Sequence, residues 1–432
     1  MDFLVVASEI IKQVYNGGLP LAVAARRYFA DADLNSDEQR RINGLLSCQM
    51  HHHYAIADVL KRANLEFSAD LNPLLWLVVA NGACYHQYPV EEVMTSAKKI
   101  FISAGVEFPE SELLAIIEQS TNPQKLLSGD YDQESSEYLS LRYNTPVWLV
   151  KMWQKHLGQA VTIKLMAANQ RRVQQTLRLN PMKNKTIDEI CISDIDFVPG
   201  PTAQTLIYRA RPNIKHHPLF RDKFIFQQRL AVSQVMAELE PKTMINCLIY
   251  EARPQAIYLD LAVFSGGELK IDMAVTSDRR RLDVVNTAAS FGLKNVHSFV
   301  SKPSAMITHI RDEYDLVVVI PDSSSFDLIR TVPDFFVHFK QESMDELIFH
   351  QNEALRECSH FVAPGGKLLY VINTVSHKEG HGLTVEFLKQ NREFNLLGEK
   401  QYLPFDRYNS TLYAALLERN TAVEQSNETQ PL

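Results

Sequence analysis

The spacing of apolar residues predicts that the chain begins with a run of helices. Up to about residue 120, apolar side chains recur at i, i+3 and i+4 in segments such as "VASEIIKQVY" and "NPLLWLVVANGACYHQ". Ser36, followed by Gln39 three residues later, has the pattern of a capping box, and Asn72 before Pro73 marks another helix start. Short polar stretches separate these segments, which is typical of a compact all-helical module.

The period of the pattern changes in the second half of the chain. From Met244 onward, strand-like segments alternate with helical ones, and the alternation ends in an expected antiparallel pair, "EFNLLGEKQYLP" with "TLYAALLER". This order predicts an α/β fold with a doubly wound, Rossmann-like sheet. We expect a helical domain at 1–128, a linker with a small mixed α/β subdomain at 129–240, the Rossmann-like domain at 241–420, and a disordered polar tail at 421–432.

The composition excludes several classes of protein. No apolar run is long enough to cross a bilayer, and the net charge of -7 argues against a protein that coats nucleic acid without specificity. The five cysteines form no CxxC pair, so neither a disulfide framework nor a zinc ribbon is predicted, and a cytoplasmic, reducing compartment fits best. His51, His52 and His53 are adjacent on a predicted helix and point in three directions, so we expect no metal ion there.

Four motifs follow one another in a specific order. They are "TPVWLVKMWQKHLG", "LRLN", "HPLFRDKFIFQQRLAVSQVMAEL" and "AVTSDRRRLDVVNTAASFGLKNV". Together with the helical N-terminal part, this order resembles the Sun-type (Fmu-type) rRNA 5-methylcytosine methyltransferase family. The resemblance implies a NusB-like helical domain, a small RNA-facing subdomain, a class I methyltransferase domain, S-adenosylmethionine as cofactor and rRNA as partner.

The residues at the family's cofactor positions do not suit S-adenosylmethionine. The family's "LDLCAAPGGKT" corresponds to "INCLIYEARPQ", which places Asn246 at the family's aspartate and Ala252 and Arg253 at its glycine pair. Glycine lets the backbone approach a ligand closely, whereas side chains at these positions occupy the ligand's space. Thr276 stands where this fold needs an acid for the ribose hydroxyls, and a single hydroxyl cannot replace a carboxylate there. We therefore expect that the cofactor is not bound.

The family's two cysteines are also replaced. Methylation at carbon 5 of cytosine needs a thiolate that attacks carbon 6, and the resemblance puts Asn373 and Asp322 at the two cysteine positions. A one-residue shift would instead put Asp322 near the family's catalytic aspartate. Cys247 lies in a predicted buried strand and Cys358 on a predicted helix, so both are expected to be inert. These losses together predict a pseudoenzyme; the alternative is an active S-adenosylmethionine-dependent enzyme with a non-standard site.

Basic residues concentrate in the predicted small subdomain. They cluster in Asn169–Lys185 and in Tyr208–Lys223. Given the family resemblance, we expect this region to bind RNA, although the same residues could form an ordinary solvated surface. The residues that we predict to contact RNA are Arg178, Asn180, Arg171, Arg172 and Lys183. The sequence thus predicts an RNA-binding, rRNA- or ribosome-associated protein that has lost methyl transfer.

Overall fold

The chain divides into two compact units. A computed structural model describes residues 2–120, 122–127, 131–210, 213–239, 241–252, 254–310 and 312–421. The first unit comprises Met1–Arg171 and Leu328–Gln341, and the second comprises Arg172–Asp327 and Glu342–Leu432. The predicted disordered tail, apart from Thr421, lies outside the described residues.

Helices form the first unit, as the apolar spacing predicts. Its elements up to residue 171 are α1 (Phe3–Tyr15), α2 (Leu21–Asp31), α3 (Ser36–His51), α4 (His53–Arg62), α5 (Asn72–Ala80), a π-helix (Asn81–Tyr85), α6 (Val90–Ser103), α7 (Glu110–Gln119), α8 (Ser136–Tyr143), α9 (Val147–Leu157) and α10 (Gln159–Asn169). The segment predicted as a linker therefore contains α8, and α8 to α10 belong to this unit. No helix among the described residues is long and apolar enough to cross a membrane.

The capping box of α3 lies one residue earlier than predicted. The Asn35 side chain accepts hydrogen bonds from the backbone N–H groups of Asp37 and Glu38, and Glu38 Oε2 accepts one from the Asn35 N–H at 2.8 Å. Asparagine and serine both cap helices well, and the pair Asn35 and Glu38 has the same spacing as the predicted pair Ser36 and Gln39. The helix start is right, and the choice between two adjacent capping residues is wrong.

A distant carboxylate caps helix α2. Pro20 precedes this helix and provides no side-chain hydrogen bond to it. Instead, the buried Asp334 accepts a hydrogen bond from the Leu21 N–H at 2.7 Å, and its Oδ2 lies 3.0 Å from Nε2 of His338. Asp334 lies in the segment Leu328–Gln341. This segment belongs to the first unit, although the residues on both sides of it in the chain belong to the second. The sequence could not predict this cap because 313 residues separate its two partners.

The second unit contains a small antiparallel sheet and a larger doubly wound sheet. The small sheet has the order β2-β3-β1-β4. Its elements are β1 (Gln175–Leu179), α11 (Ile187–Ser193), β2 (Phe197–Pro199), β3 (Thr205–Tyr208), α12 (Pro218–Arg221) and β4 (Ile225–Gln227). Leu177, Ile190, Phe197 and Leu206 form its core. This architecture agrees with the predicted small mixed α/β subdomain.

The larger sheet has seven strands in the order β10-β11-β9-β8-β5-β6-β7. Strands β5 to β9 pair in parallel, and β11 is antiparallel to both β9 and β10. The prediction of a Rossmann-like α/β domain with a closing antiparallel pair is confirmed. The elements are α13 (Leu230–Ala237), β5 (Asn246–Glu251), α14 (Ile257–Phe264), β6 (Lys270–Val275), α15 (Asp278–Ser290), β7 (Val296–Val300), β8 (Tyr314–Ile320), α16 (Phe335–His338, in the segment of the first unit), α17 (Ser343–Ser359), β9 (Val362–Ile372), α18 (His381–Gln390), β10 (Phe394–Tyr402) and β11 (Leu412–Arg419).

A buried ion pair joins the small sheet to the helices of the large one. Arg178 on β1 is 3% exposed, and its Nε lies 2.7 Å from Oδ1 of Asp260, a fully buried residue of α14. Nη1 of Arg178 donates to the Ser233 carbonyl at 2.7 Å, and Nε2 of Gln228 donates to Asp260 Oδ2 at 2.6 Å. Burial raises the pKa of Asp260 to about 6, against the opposing effect of Arg178. Breaking one side of such a pair leaves a buried charge without its partner.

We predict that Arg178→Met lowers the free energy of unfolding by about 3–5 kcal/mol, because Asp260 then stays buried without its cation. The double variant Arg178→Met/Asp260→Leu should recover much of this loss, since apolar side chains then replace both charges. Urea unfolding followed by circular dichroism measures both variants, and Arg172→Met at an exposed position is the matched control. A single variant as stable as the control would contradict the structural role of the pair.

Candidate functional site

The carboxyl ends of β5, β6, β8 and β9 lie along one edge of the seven-stranded sheet. The strand order reverses between β5 and β8, and doubly wound folds bind ligands outside the carboxyl ends of their strands near such a reversal. The loops that follow these four strands contain Ala252, Thr276, Asp322 and Asn373. These are the positions at which the family resemblance implies cofactor-binding and catalytic residues. We refer to this region as the carboxyl edge.

An ion pair lies at the carboxyl end of β5. Glu251, the last residue of β5, is 1% exposed, and its Oε1 accepts hydrogen bonds from Nε and Nη2 of Arg280 at 2.8 and 2.6 Å. Its Oε2 accepts from the Gln255 N–H at 3.2 Å. Burial raises the pKa of Glu251, and Arg280 opposes that shift. The pair thus places two side chains where a cofactor of this fold would lie.

Helix α14 does not begin directly after β5. The Ala252 N–H donates to the Ile320 carbonyl at 2.8 Å, which continues the pairing of β5 and β8 beyond the strand. Helix α14 begins at Ile257, after Ala256 has adopted a left-handed conformation with φ +55°. Residues 254–256 thus precede the helix. Arg253, the other residue predicted at the glycine pair, lies outside the described residues.

Two further cofactor positions lie at opposite ends of their strands. Thr276 is exposed and follows β6 directly, at the carboxyl edge as predicted. Asn246, in contrast, begins β5 and therefore lies at the amino end of the sheet. Its Oδ1 accepts from the Asp315 N–H at 2.9 Å, and its Nδ2 donates to the Glu313 carbonyl at 3.1 Å. Asn246 joins β5 to β8 and is too far along the strand to reach a ligand at the carboxyl edge.

The two residues that the resemblance puts at the family's cysteine positions are polar. Asn373 is buried, and its Oδ1 accepts from Nη1 of Arg229 at 2.8 Å, while Nη2 of Arg229 donates to Asp327 at 2.6 Å. Asp322 is exposed after β8, and its carbonyl accepts from Nε2 of Gln351 at 2.9 Å. The amide of Asn373 cannot act as a nucleophile of the thiolate kind. A base is the role that the Asp322 carboxylate could take.

A buried glutamate holds the loops after β8 and β9 together. Oε1 of Glu379 accepts from the Ser324 N–H at 2.8 Å and from Gln351 at 2.9 Å, and Oε2 accepts from Thr374 Oγ1 at 2.6 Å. The hydroxyls of Ser324 and Thr374 lie 2.9 Å apart.

The sequence analysis did not predict three charged residues that hold the carboxyl edge together. They are Glu379, Arg229 and Arg280. Each of them finds its partner in a segment far along the chain, and no local pattern marks such a pairing. One acid in the sequence does indicate a buried charge. Asp260 lies in the apolar segment "IYLDLAVF", and an acid in such a segment is buried only when it has a partner.

The two cysteines of the large sheet cannot supply a thiolate at the carboxyl edge. Cys247 on β5 and Cys358 on α17 are both fully buried. Burial raises the pKa of each thiol well above its ordinary value. Both therefore stay protonated at neutral pH, in agreement with their predicted inertness.

A basic cleft of about 700 Å³ borders the end of β5 within the second unit. Its volume is in the range of natural ligand sites. Phe220 and Phe291 contribute half-buried aromatic rings, whereas Phe226 and Tyr258 are buried behind the lining. No carboxylate is among the described residues that line the cleft. The cations that line the cleft are Lys215, Lys223, Arg229 and Arg280.

The predicted RNA-contact residues lie in different environments. Arg178 and Asn180 are buried, so direct contact with RNA, as predicted for them, conflicts with the fold. Asn180 Nδ2 donates to the Lys223 carbonyl at 2.9 Å and thereby joins two turns of the small sheet. Arg172 and Lys183 are exposed in the second unit, and Arg171 is exposed in the first. Contact with RNA stays a prediction for these three residues, none of which lines the cleft.

Comparisons with known proteins support the family resemblance. The chain is 23% identical over 282 residues to ribosomal RNA small subunit methyltransferase B of Shewanella oneidensis, and the match covers 61% of this chain and 61% of that relative. The chain thus matches less than two thirds of the relative's length. No family model matches the chain. The resemblance to Sun-type rRNA methyltransferases is confirmed at the level of the family.

Solved structures share the fold. The crystal structure of PH0851 has a TM-score of 0.73 at 19% identity and covers 97% of this chain and 98% of its own. NSun6 from Pyrococcus horikoshii with SFG has a TM-score of 0.56 at 11% identity, with 63% of this chain and 98% of that chain covered. At these identities, the likeness concerns the fold alone. It agrees with the Rossmann-like architecture and with a helical region that precedes it.

We predict that Cys247 and Cys358 react with iodoacetamide at least about 100-fold more slowly than the half-buried Cys191, because alkylation needs a thiolate and these thiols are enclosed. Peptide mass mapping of the native protein over time measures each rate, and the same mapping in urea gives the unprotected control. Fast labelling of either buried thiol in the folded protein would contradict the enclosure of that thiol.

Proposed function

We propose that this member of the Sun-type rRNA methyltransferase family binds structured RNA and does not transfer methyl groups. The observation that carries the proposal is the buried pair of Glu251 and Arg280 at the end of β5. In this fold, the cofactor's place is beside that strand end. A side-chain pair there replaces the open, glycine-lined space that S-adenosylmethionine needs. The residues present do not fit this cofactor.

The nucleophile positions support the same conclusion. Asn373 is engaged by Arg229, and the neighbouring loops are joined through Glu379. The three hydrogen bonds that the Glu379 carboxylate accepts favour one arrangement of these loops. This arrangement offers no thiolate for attack on carbon 6 of cytosine, so the chemistry of the family has no starting point at these residues.

The basic cleft supports RNA as the ligand. Its lining combines cations with aromatic rings, which is the combination that binds phosphates and stacks bases. Lys215 is exposed, and the ammonium of Lys223 lies 5.5 Å from the centroid of the Phe291 ring. The relative from Shewanella oneidensis is named a ribosomal RNA methyltransferase, which makes rRNA the first RNA to test. A local basic surface of this kind is compatible with the negative net charge of the chain.

Calorimetry with S-adenosylmethionine tests the loss of the cofactor. We predict no saturable heat at ligand concentrations up to about 1 mM, the upper end of ordinary enzyme substrate affinities. The same sample must bind RNA, so that an inactive preparation is not mistaken for a negative result. Saturable binding together with methyl transfer to RNA would support the alternative, an active cytosine-5 methyltransferase with a non-standard site in which Asp322 acts as a base.

Charge reversal in the cleft tests the RNA interface. We predict that Lys215→Glu/Lys223→Glu weakens binding to a structured rRNA fragment by at least about tenfold. The slope of log affinity against log salt should fall by about 0.7–0.9 for each phosphate that the variant no longer neutralises. The control is Lys389→Glu, at an exposed position of α18 outside the cleft. If the double variant binds RNA as tightly as the parent and the control, the RNA binds outside the cleft. If the parent shows no salt-sensitive affinity for RNA, the proposed function is refuted.

A further inference from the structure

Three metal-ligating side chains converge in the helical unit, far in sequence from the carboxyl edge. Sγ of Cys48, a ring nitrogen of His52 and Sγ of Cys84 all lie within 4.8 Å of one another. All three residues belong to the first unit, and each is half-buried. The members of the cluster come from two separate helical segments, so neither the three adjacent histidines nor the lack of a CxxC pair could indicate it in the sequence.

Two of these side chains, those of Cys48 and His52, lie at the end of α3. Cys48 and His52 are four residues apart, which puts them on one face of a helix. Helix α3 ends at His51, and His52 itself has φ −120° and ψ 15°, outside the helical region. The neighbouring histidines have other contacts. His51 Nδ1 lies 2.7 Å from the Ser47 carbonyl, and the His53 ring packs edge-on against Trp76.

A π-helix presents the third side chain. Cys84 lies within Asn81–Tyr85, one turn of π-helix that directly follows α5. The wider turn of a π-helix changes the direction of its side chains relative to an α-helix, and such turns are frequent at functional sites. Helix α3 accommodates the segment closely, because the Tyr85 hydroxyl donates to the Arg41 carbonyl at 2.8 Å and a Cβ at Gly44 would collide with the Tyr85 ring. Gly44 is one helical turn before Cys48, and Tyr85 follows Cys84, so this contact brings the two thiols together.

Solvent can reach the cluster. His52 also lines an open cavity of about 520 Å³ within the first unit, together with Ala55, Asn122 and Tyr143. A metal ion with three protein ligands needs a fourth position for water or another small ligand, and such a cavity can provide it. Tetrahedral coordination by two thiolates and one imidazole requires separations of about 3.6–3.8 Å between the ligand atoms. The three ligand atoms, all within 4.8 Å of one another, lie close to these separations.

We propose that Cys48, His52 and Cys84 form a binding site for one Zn²⁺ ion, with solvent as the fourth ligand. Two thiolates and one imidazole favour a borderline-soft ion of this kind over Mg²⁺ or Ca²⁺. When the ion binds, each thiol proton passes to solvent and each sulfur forms a bond to the metal. The ion would fasten the end of α3 to the π-helix, and this role is independent of RNA binding or methyl transfer.

Cobalt titration of the full chain tests the site. The protein is reduced with a phosphine, freed of metal with a chelator and titrated with Co²⁺ in the absence of oxygen. We expect one equivalent of Co²⁺ to produce a thiolate-to-cobalt charge-transfer band and the visible bands of a tetrahedral ion, and Zn²⁺ to abolish both. Cys48→Ser, Cys84→Ser and His52→Asn should each weaken binding by about 100-fold or more, which is at least the loss seen when a group that only supports a ligand is removed.

The controls separate loss of a ligand from loss of the fold. His51→Asn changes the adjacent histidine, and Cys191→Ser removes a half-buried cysteine of the other unit. Both should bind Co²⁺ within about twofold of the parent, and circular dichroism should show the same helix content in every variant. No absorption band in the reduced parent would overturn the site. Unchanged binding in all three ligand variants, or a Cys48–Cys84 disulfide that persists in the reductant, would also overturn it.

Discussion

A charge in a protein interior must have a partner, and this constraint organises the second unit. Arg178 and Asp260 hold the small sheet against α13 and α14, Arg280 and Glu251 close the end of β5, and Glu379 joins the loops after β8 and β9 through hydrogen bonds. Each of these groups would cost several kcal/mol if it were buried alone. The carboxyl edge is therefore a set of mutually dependent polar contacts. These contacts hold its loops in one arrangement.

The pair of Glu251 and Arg280 shows how two charges can be buried together at the end of β5. The carboxylate of Glu251 on β5 accepts hydrogen bonds from the guanidinium of Arg280 on α15 and from the Gln255 N–H. The parallel strands β5 to β9 and the helix α14 after β5 are all present beside this pair.

The sequence predicts the architecture well because periodicity is a local property. Alternating apolar segments were enough to predict helices, a mixed subdomain and a Rossmann-like sheet with an antiparallel end. The site was harder, since its contacts join residues far apart in the chain. Family alignment placed Thr276, Asp322 and Asn373 correctly beside strand ends, yet it could not show that Asn373 is held by Arg229. It misjudged Arg178 and Asn180, because a basic motif looks the same in sequence whether its side chains face solvent or a buried acid.

The cap that Asp334 provides for α2 has a consequence for how the chain folds during synthesis. Helices α1 to α10 leave the ribosome first, and all of them belong to the first unit. The carboxylate that satisfies the Leu21 N–H emerges only after strands β1 to β8 have been made. Domains usually fold in order from the N-terminus. In this protein the first unit lacks the cap of α2 until Asp334 has been synthesised. By then most of the strands of the second unit have already been made, so the first unit is completed late.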